Sequence, residues 1–242
     1  MGVQCIDCVR EQRRQTPERR NALGTRITQS SPVVTYVMIG LCLVVFAGQK
    51  IVGSAVTEAL WFVPVQSGGE PYRFLTSAFV HSPQNYAHIL FNLYALWLVG
   101  RFLETALGHV RYLALYVLSA VGGSTLVLLL SKSLEDWWTP VLGASGAVFG
   151  LFAAVLIILR RLGRDATQIL IVIVLNVVIG FVVPGISWEG HFGGMIVGAL
   201  LGAAFAWAPR DRRKLISWVA VIGVALLITV LAYTKLSTAG IV

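Results

Sequence analysis

The chain has 242 residues, of which 57% are hydrophobic and only 12% are charged, and its mean hydropathy is +0.78. An ordinary soluble domain carries about 25% charged residues, so this composition excludes that class and predicts a polytopic membrane protein. The formal net charge is +8. We interpret the basic residues as a signal for membrane topology, and no nucleic-acid partner is expected.

The first thirty residues are polar and rich in arginine, which predicts a flexible cytoplasmic tail without a core of its own. They lack the pattern of a signal peptide, so the first apolar run is expected to remain as an anchor. Cys5 and Cys8 have the spacing of half a zinc site, but no second pair or histidine follows in this segment. Since a structural zinc ion needs four ligands, a reduced dithiol, a remnant of a larger metal module and a site shared between two chains are the alternatives.

Seven apolar runs follow the tail, each near the roughly 20 residues that cross about 30 Å of hydrocarbon. Each is predicted to be helical, because an open strand would leave backbone amides without partners in lipid. The predicted fold class is therefore an all-α bundle of seven transmembrane helices. The runs cover residues 33–49, 86–106, 110–131, 144–160, 167–184, 188–207 and 215–234.

The distribution of lysine and arginine predicts the orientation, since cytoplasmic segments carry an excess of both. With the amino end inside, 15 of the 19 basic residues fall on the inner side. The expected topology is a cytoplasmic amino end and an external carboxyl end in the plasma (inner) membrane. The inner residues are Arg10, Arg13, Arg14, Arg19, Arg20, Arg26, Arg101, Arg111, Arg160, Arg161, Arg164, Arg210, Arg212, Arg213 and Lys214.

Polar residues begin three of these spans, all of which run from outside to inside. His88 and Asn92 lie near the start of the second span, Ser145 near the start of the fourth, and His191 near the start of the sixth. These four side chains are therefore expected at one depth, a little below the outer surface. Ionisable groups at membrane depth are costly and usually functional, which indicates a serine nucleophile with its base inside the bilayer.

The second and fourth spans also provide hydrogen-bond donors. His88 and Asn92 are four residues apart, so they share one helix face about 6 Å apart along the axis. Ser145 lies between Gly143 and Gly146 and opens a helix whose first amides have no partner in that helix. An oxyanion formed when Ser145 attacks a carbonyl would find donors from this helix start, from Asn92 and from His88.

Small residues at four-residue spacing predict that the fourth and sixth spans pack closely together. Such packing would bring His191 within hydrogen-bond reach of Ser145. The small residues are Gly146 and Gly150 in the fourth span and Gly194, Gly198 and Gly202 in the sixth.

In these motifs the sequence resembles the rhomboid family of intramembrane serine proteases, across essentially the whole membrane region. Tyr72 stands where the family has tryptophan, and Phe149 where the family often has tyrosine. The order and spacing of the motifs make the combination specific, although each motif alone is weak. The matching elements are Tyr72-Arg73, His88-x-x-x-Asn92, Gly100-x-x-x-Glu104-x-x-x-Gly108, Gly143-Ala144-Ser145-Gly146 with Phe149, and His191-x-x-Gly194-x-x-x-Gly198.

The resemblance implies a serine–histidine dyad without a third acidic member and without a metal or other cofactor. Ser145 would be the nucleophile and His191 the general base, and the Ser145 amide with His88 and Asn92 would form the oxyanion hole. Phe149 would stack on the catalytic histidine. The expected site-supporting residues are Gly143, Gly146, Phe149 and Gly194.

The resemblance also implies an organisation and a substrate class. Residues 1–30 would be the tail, residues 31–210 a six-helix core, and residues 211–242 an additional carboxyl-terminal helix, as in the secretase-type bacterial members. The partners would be the lipid bilayer and single-span membrane proteins cut near the outer face. Two other function classes stay open: a catalytically silent relative that binds membrane helices, and a transporter.

Structural roles compete with the catalytic ones. Ser145 could be a small packing residue, and His191 a buried histidine bonded to a carbonyl. Asn176 is expected to form an interhelical hydrogen bond, Glu104 to bond helix-end backbone, and Arg73 either to reach lipid headgroups or to brace the first outer loop.

Overall fold

The structure, a computed structural model, describes residues 5–7, 21–25, 31–183 and 185–241. These residues form a bundle of α-helices joined by short loops, and their only β pairing is the isolated antiparallel bridge between Phe62 and Val141. The helices are α1 (Val33–Val52), α2 (Ser54–Leu60), α3 (Arg73–Thr76), α4 (Tyr86–Leu107), α5 (His109–Leu130), α6 (Leu134–Trp138), α7 (Ser145–Arg161), α8 (Thr167–Val182), α9 (Trp188–Trp207) and α10 (Arg213–Thr238).

Five of these helices are long and apolar enough to cross a membrane, namely α1, α4, α5, α9 and α10. Every predicted apolar run coincides with a helix, so the predicted helical membrane bundle is confirmed. The helices α7 and α8 have only 17 and 16 residues, and the count of seven crossings stays a prediction.

The pair α7 and α9 forms the centre of the bundle, with α5 packed against both. Glycines make this contact backbone to backbone: a Cβ atom on Gly194 would overlap the carbonyl oxygen of Gly146, and one on Gly198 would overlap that of Gly150. The predicted packing of the fourth and sixth spans is confirmed. Because no side chain separates the two helices, their mutual position is set by the backbone.

The helix α7 is short, and the segment before it is anchored to the chain between α1 and α4. Its 17 residues extend about 26 Å, less than the roughly 30 Å of a hydrocarbon core. The segment that leads into α7 is held at two points: Val141 pairs with Phe62, and the Gly143 amide donates to the Ser77 carbonyl at 2.9 Å. The first residue of α7 is half-buried, and the segment before it is held by the chain between α1 and α4.

Arg73 braces the loop between α1 and α4. Its side chain is only 5% exposed, and its guanidinium donates to the carbonyl of Glu58 at 2.6 Å and to that of Trp61 at 3.0 Å. It also pairs with the Glu70 carboxylate. The bracing role is the one that the structure supports.

Glu104 caps the start of α1 from the far end of α4. One carboxylate oxygen accepts from the Val34 amide, and the other accepts from the amide and the hydroxyl of Thr35, at 2.7 to 2.8 Å. The first oxygen also lies 2.5 Å from His109 Nδ1. The predicted helix-end role is confirmed.

Replacing Glu104 by glutamine is expected to lower the free energy of unfolding by about 1–3 kcal/mol, because an amide nitrogen cannot accept the donors that one carboxylate oxygen accepts. Thermal unfolding in detergent measures this as a fall in Tm. The exposed Glu135 supplies the matched control. A Tm for Glu104→Gln equal to that for Glu135→Gln would contradict the capping role.

The expectation for Asn176 was wrong. Its Nδ2 donates to the carbonyl of Val172, one turn earlier in the same helix, at 2.8 Å. Most of α8 faces outward, with only Ile173 and Gly180 buried, and no interhelical hydrogen bond of Asn176 occurs within the described part of the chain. Most of the predicted tail, including Cys8, lies outside the described residues, so its flexibility and the zinc hypothesis stay predictions.

Candidate active site

Ser145 is the first residue of α7 and projects beside a sharp backbone turn. Gly143, two residues earlier, has φ +125°, a conformation that residues with a Cβ rarely adopt. The Ala144 side chain provides no cap for the helix, so the amides of the first turn have no partner within α7. These amides and the positive end of the helix dipole lie next to the Ser145 hydroxyl.

The Ser145 hydroxyl is hydrogen-bonded to His191, with Oγ and Nε2 2.9 Å apart. His191 lies in the first turn of α9, which is capped by the Ser187 side chain accepting from the Gly190 amide. The backbone contact between α7 and α9 fixes the two helix starts side by side. The structure therefore brings together the two residues that the sequence predicted to be neighbours.

His191 has the surroundings of a base with a free second nitrogen. The residue is 9% exposed, and its Nδ1 has no hydrogen-bond partner within the described part of the chain. The neutral ring with its proton on Nδ1 leaves Nε2 as the acceptor for the Ser145 hydroxyl proton. No carboxylate of the described residues bonds to Nδ1.

Phe149 holds the imidazole in place. Its ring stacks on that of His191 with centroids 4.1 Å apart and planes 13° from parallel. Phe149 is one turn after Ser145 on the same helix and is buried. The predicted contact is confirmed, and it restricts rotation of the imidazole about its side-chain bonds.

His88 and Asn92 lie one turn apart on α4, and His88 is close to the turn that precedes Ser145. A Cβ atom on Gly143 would be 2.8 Å from His88 Nε2 and 3.6 Å from Ser145 Oγ, so the imidazole and the hydroxyl flank this glycine. The Ser82 amide donates to His88 Nδ1 at 3.3 Å, which leaves the proton of a neutral ring on Nε2. Asn92 Nδ2 donates to the His88 carbonyl at 2.8 Å and retains a second N–H.

His81, in the loop before α4, is fully buried, with its ring centroid 5.2 Å from that of His88. Burial, with a smaller contribution from repulsion by His88, lowers the pKa of His81 from 6.5 to about 4. The unfolded chain takes up this proton at higher pH than the folded chain. The stability contributed by neutral His81 is therefore complete above about pH 6.5 and is lost as the pH falls from there toward 4.

We expect His81→Gln to flatten the decrease of Tm with pH over that window. Thermal unfolding of wild type and variant at a series of pH values between about 7 and 4.5 measures this. Equal decreases in the two proteins would show that His81 does not contribute to acid sensitivity.

Sequence reasoning missed the backbone groups that position these side chains. The Ser82 amide sets the tautomer of His88, the Ser77 carbonyl anchors Gly143, and Gly190 places its carbonyl against Gly146. Backbone donors and acceptors leave no signal in residue identity. Only the glycine-rich run around His191 could have indicated Gly190.

The structure therefore has the fold of a polytopic helical membrane protein and a hydrogen-bonded serine–histidine pair at the start of two central helices. A family model described as the Rhomboid domain matches residues 68–208, which include every residue of this site. The chain belongs to the rhomboid family.

Several curated relatives match the chain. Rhomboid protease GluP of Bacillus subtilis is 32% identical over 224 residues, which is 86% of this chain and 42% of that protein. Rhomboid protease AarA of Providencia stuartii is 29% identical over 195 residues, covering 70% of this chain and 68% of that protein. RHOMBOID-like protein 5 of Arabidopsis thaliana is 32% identical over 149 residues, covering 59% of this chain and 46% of that protein. The chain thus spans less than half the length of two of these three relatives.

Proposed function

We propose that the chain is an intramembrane serine endopeptidase that hydrolyses a peptide bond in or next to the transmembrane segment of its substrate. The observation that carries this proposal is the hydrogen bond between Ser145 Oγ and His191 Nε2 inside a helical membrane bundle. Relatives named as rhomboid proteases support the same activity.

The reaction would proceed through an acyl-enzyme. Ser145 Oγ attacks the scissile carbonyl carbon while His191 Nε2 accepts the hydroxyl proton. The tetrahedral intermediate collapses when His191 donates that proton to the leaving amine nitrogen, which breaks the peptide bond. Water then attacks the ester carbon while His191 accepts a proton from it. The second tetrahedral intermediate breaks down when His191 returns this proton to Ser145 Oγ, which breaks the ester bond, releases the carboxyl product and regenerates the Ser145 hydroxyl.

The negative oxygen of the tetrahedral intermediate would be stabilised by three donors. These are the Ser145 amide at the start of α7, the Nε2–H of His88 and the unused N–H of Asn92. His88 Nε2 lies beside the Gly143 turn that precedes Ser145, and Asn92 is bonded to the His88 carbonyl, so these donors are grouped near the nucleophile, where they can act on the developing charge. No metal ion is needed to polarise the carbonyl.

Asn92→Ala is expected to reduce kcat by about 10²–10³-fold while KM changes little, because the lost donor acts on the charge that develops in the transition state. Cleavage rates of a model substrate measure this. The matched control is Asn176→Ala, since Asn176 bonds only within its own helix. Equal cleavage rates for the two variants would show that Asn92 does not stabilise the oxyanion.

The substrate would be a membrane protein with a single transmembrane segment, cut near the outer face. A peptide bond inside a helix is hydrogen-bonded and shielded, so the segment must unwind locally before Ser145 can reach it. Small or helix-breaking residues at the cleavage site are therefore favoured.

We assign the protein to the plasma (inner) membrane with its amino end cytoplasmic, its carboxyl end outside, and α10 as an addition to a six-helix core.

Incubation of the purified chain with single-span model substrates in liposomes tests this function. Mass spectrometry of the products should locate one cut near the outer end of the transmembrane segment. Substrates with a proline or glycine near the cut should be cleaved faster than an all-leucine segment. If no substrate of this kind is cut, the protease function is wrong.

A further inference from the structure

A cavity of about 730 Å³ lies at the opposite end of the bundle from Ser145. It is lined by the starts of α5 and α10 and by residues of the segment 21–25. Arg111 holds that segment in place by donating to the Thr25 hydroxyl at 2.9 Å and to the Leu23 carbonyl at 3.2 Å. The cavity is therefore bounded by three parts of the chain that are distant in sequence.

The polar wall of this cavity is strongly basic. Four cationic side chains line it, and none of its lining residues is acidic. The nearby Asp211 carboxylate is 3.6 Å from Arg212, which does not line the cavity. Arg213 repels both Arg111 and Arg210 electrostatically. The four cations are Arg111, Arg210, Arg213 and Lys214.

Two buried polar atoms in the same wall lack partners. Ser217 is only 5% exposed, lines the cavity, and its Oγ has no hydrogen-bond partner among the described residues; the same holds for Arg213 Nε. Buried polar atoms are almost always hydrogen-bonded in folded proteins. An occupant with several acceptor oxygens would satisfy both atoms and offset the repulsion among the cations.

The remaining wall is apolar. Val110 and Ala114 of α5 face Val221 and Trp218 of α10 across the cavity, and Trp218 is 45% exposed. Free phosphate would leave this apolar surface uncovered, whereas the glycerol backbone and acyl chain of a lipid would cover it. Tryptophan is also common at the level of lipid headgroups.

We propose that this cavity binds one anionic phospholipid. The phosphate lies among Arg111, Arg213, Lys214 and Ser217, and an acyl chain follows the groove between α5 and α10. Such a lipid joins α10 to α5 and to the segment 21–25. The first thirty residues include six arginines and only three acidic residues, so as a segment they carry the same sign of charge as the cavity.

Titration of the detergent-solubilised full chain with phosphatidylglycerol, followed by native mass spectrometry, tests the proposal. Wild type should retain one phosphatidylglycerol in preference to phosphatidylcholine, and inorganic phosphate should neither bind nor displace it. Arg210→Gln with Lys214→Gln should weaken binding about fivefold for each cation removed, from the roughly 1 kcal/mol that each basic residue contributes near an anionic surface. Both side chains are exposed, so this variant should fold normally.

Two further variants make the result specific. Arg212→Gln removes a neighbouring cation that lies outside the cavity and should bind phosphatidylglycerol as wild type does. Ser217→Ala should weaken binding while leaving Tm in phosphatidylcholine unchanged or higher, because it removes an unpartnered hydroxyl. Wild-type binding by the double variant, an equal loss in Arg212→Gln, or displacement by inorganic phosphate would each overturn the proposal. These measurements do not depend on protease activity.

Discussion

Replacing Ser145 by alanine is expected to abolish peptide-bond cleavage and covalent labelling by a fluorophosphonate probe. The probe reacts when a serine oxygen attacks phosphorus and fluoride leaves, which requires a base to accept the hydroxyl proton. His191 is the base in reach of Oγ, at 2.9 Å. Since nucleophile and base act as a unit, loss of either should reduce kcat by about 10⁴-fold or more.

The experiment compares four proteins in detergent: wild type, Ser145→Ala, His191→Ala and Ser131→Ala. Ser131 is buried like a functional serine, but its hydroxyl bonds only to the Val127 carbonyl one turn earlier. Wild type and Ser131→Ala should be labelled equally, and the label should map to Ser145. Labelling that persists in both site variants would remove the protease function, and an unlabelled wild type would favour the catalytically silent helix-binding relative.

We expect the second large effect on stability and activity when Gly194 is replaced by alanine, which adds one methyl group. A Cβ atom there would overlap the Gly146 carbonyl oxygen, which belongs to the backbone and cannot turn aside. Gly194→Ala must therefore push α9 away from α7, at a cost of about 3 kcal/mol or more. The same displacement separates His191 from Ser145, and a shift of about 1 Å at a reacting pair can cost about 10²-fold in rate.

Thermal unfolding and cleavage rate should therefore both decrease in Gly194→Ala. The matched control is Gly223→Ala in α10, where a new Cβ has open space around it and alanine has the higher helix propensity. That variant should keep the wild-type rate with an equal or higher Tm. If the two variants have the same Tm, α7 and α9 do not make this close backbone contact.

Hydrophobic patterning and glycine spacing predicted most of the fold and the arrangement of the site. Both features follow from helix–helix contact: a Cβ atom on Gly194 or Gly198 would overlap the backbone of α7, so only glycine fits at these two positions. The expectation that Ser145 and His191 lie at one depth followed from their positions near the starts of two spans that cross the membrane in the same direction. Their catalytic roles stay predictions.

Other features could not be predicted because they depend on tertiary packing. Asn176 lies in a helix with few neighbours, and the sequence does not show how far α8 stands from the core. The position of the segment that leads into α7 depends on the anchoring of Gly143 by the Ser77 carbonyl. The basic cavity combines residues from three segments that are distant in sequence, and the local pattern of each segment does not differ from an ordinary cluster of basic residues at a helix end.

The glycine contact between α7 and α9 has a consequence for how the protein responds to its membrane. Side chains can change rotamer when a bilayer thins or thickens, whereas two backbones in direct contact have no such freedom. A change of lipid length should therefore tilt the two helices together and leave the oxygen–nitrogen separation between Ser145 and His191 unchanged. Bilayer composition would then change the rate at which substrates enter, and it would leave the rate of the chemical step unchanged.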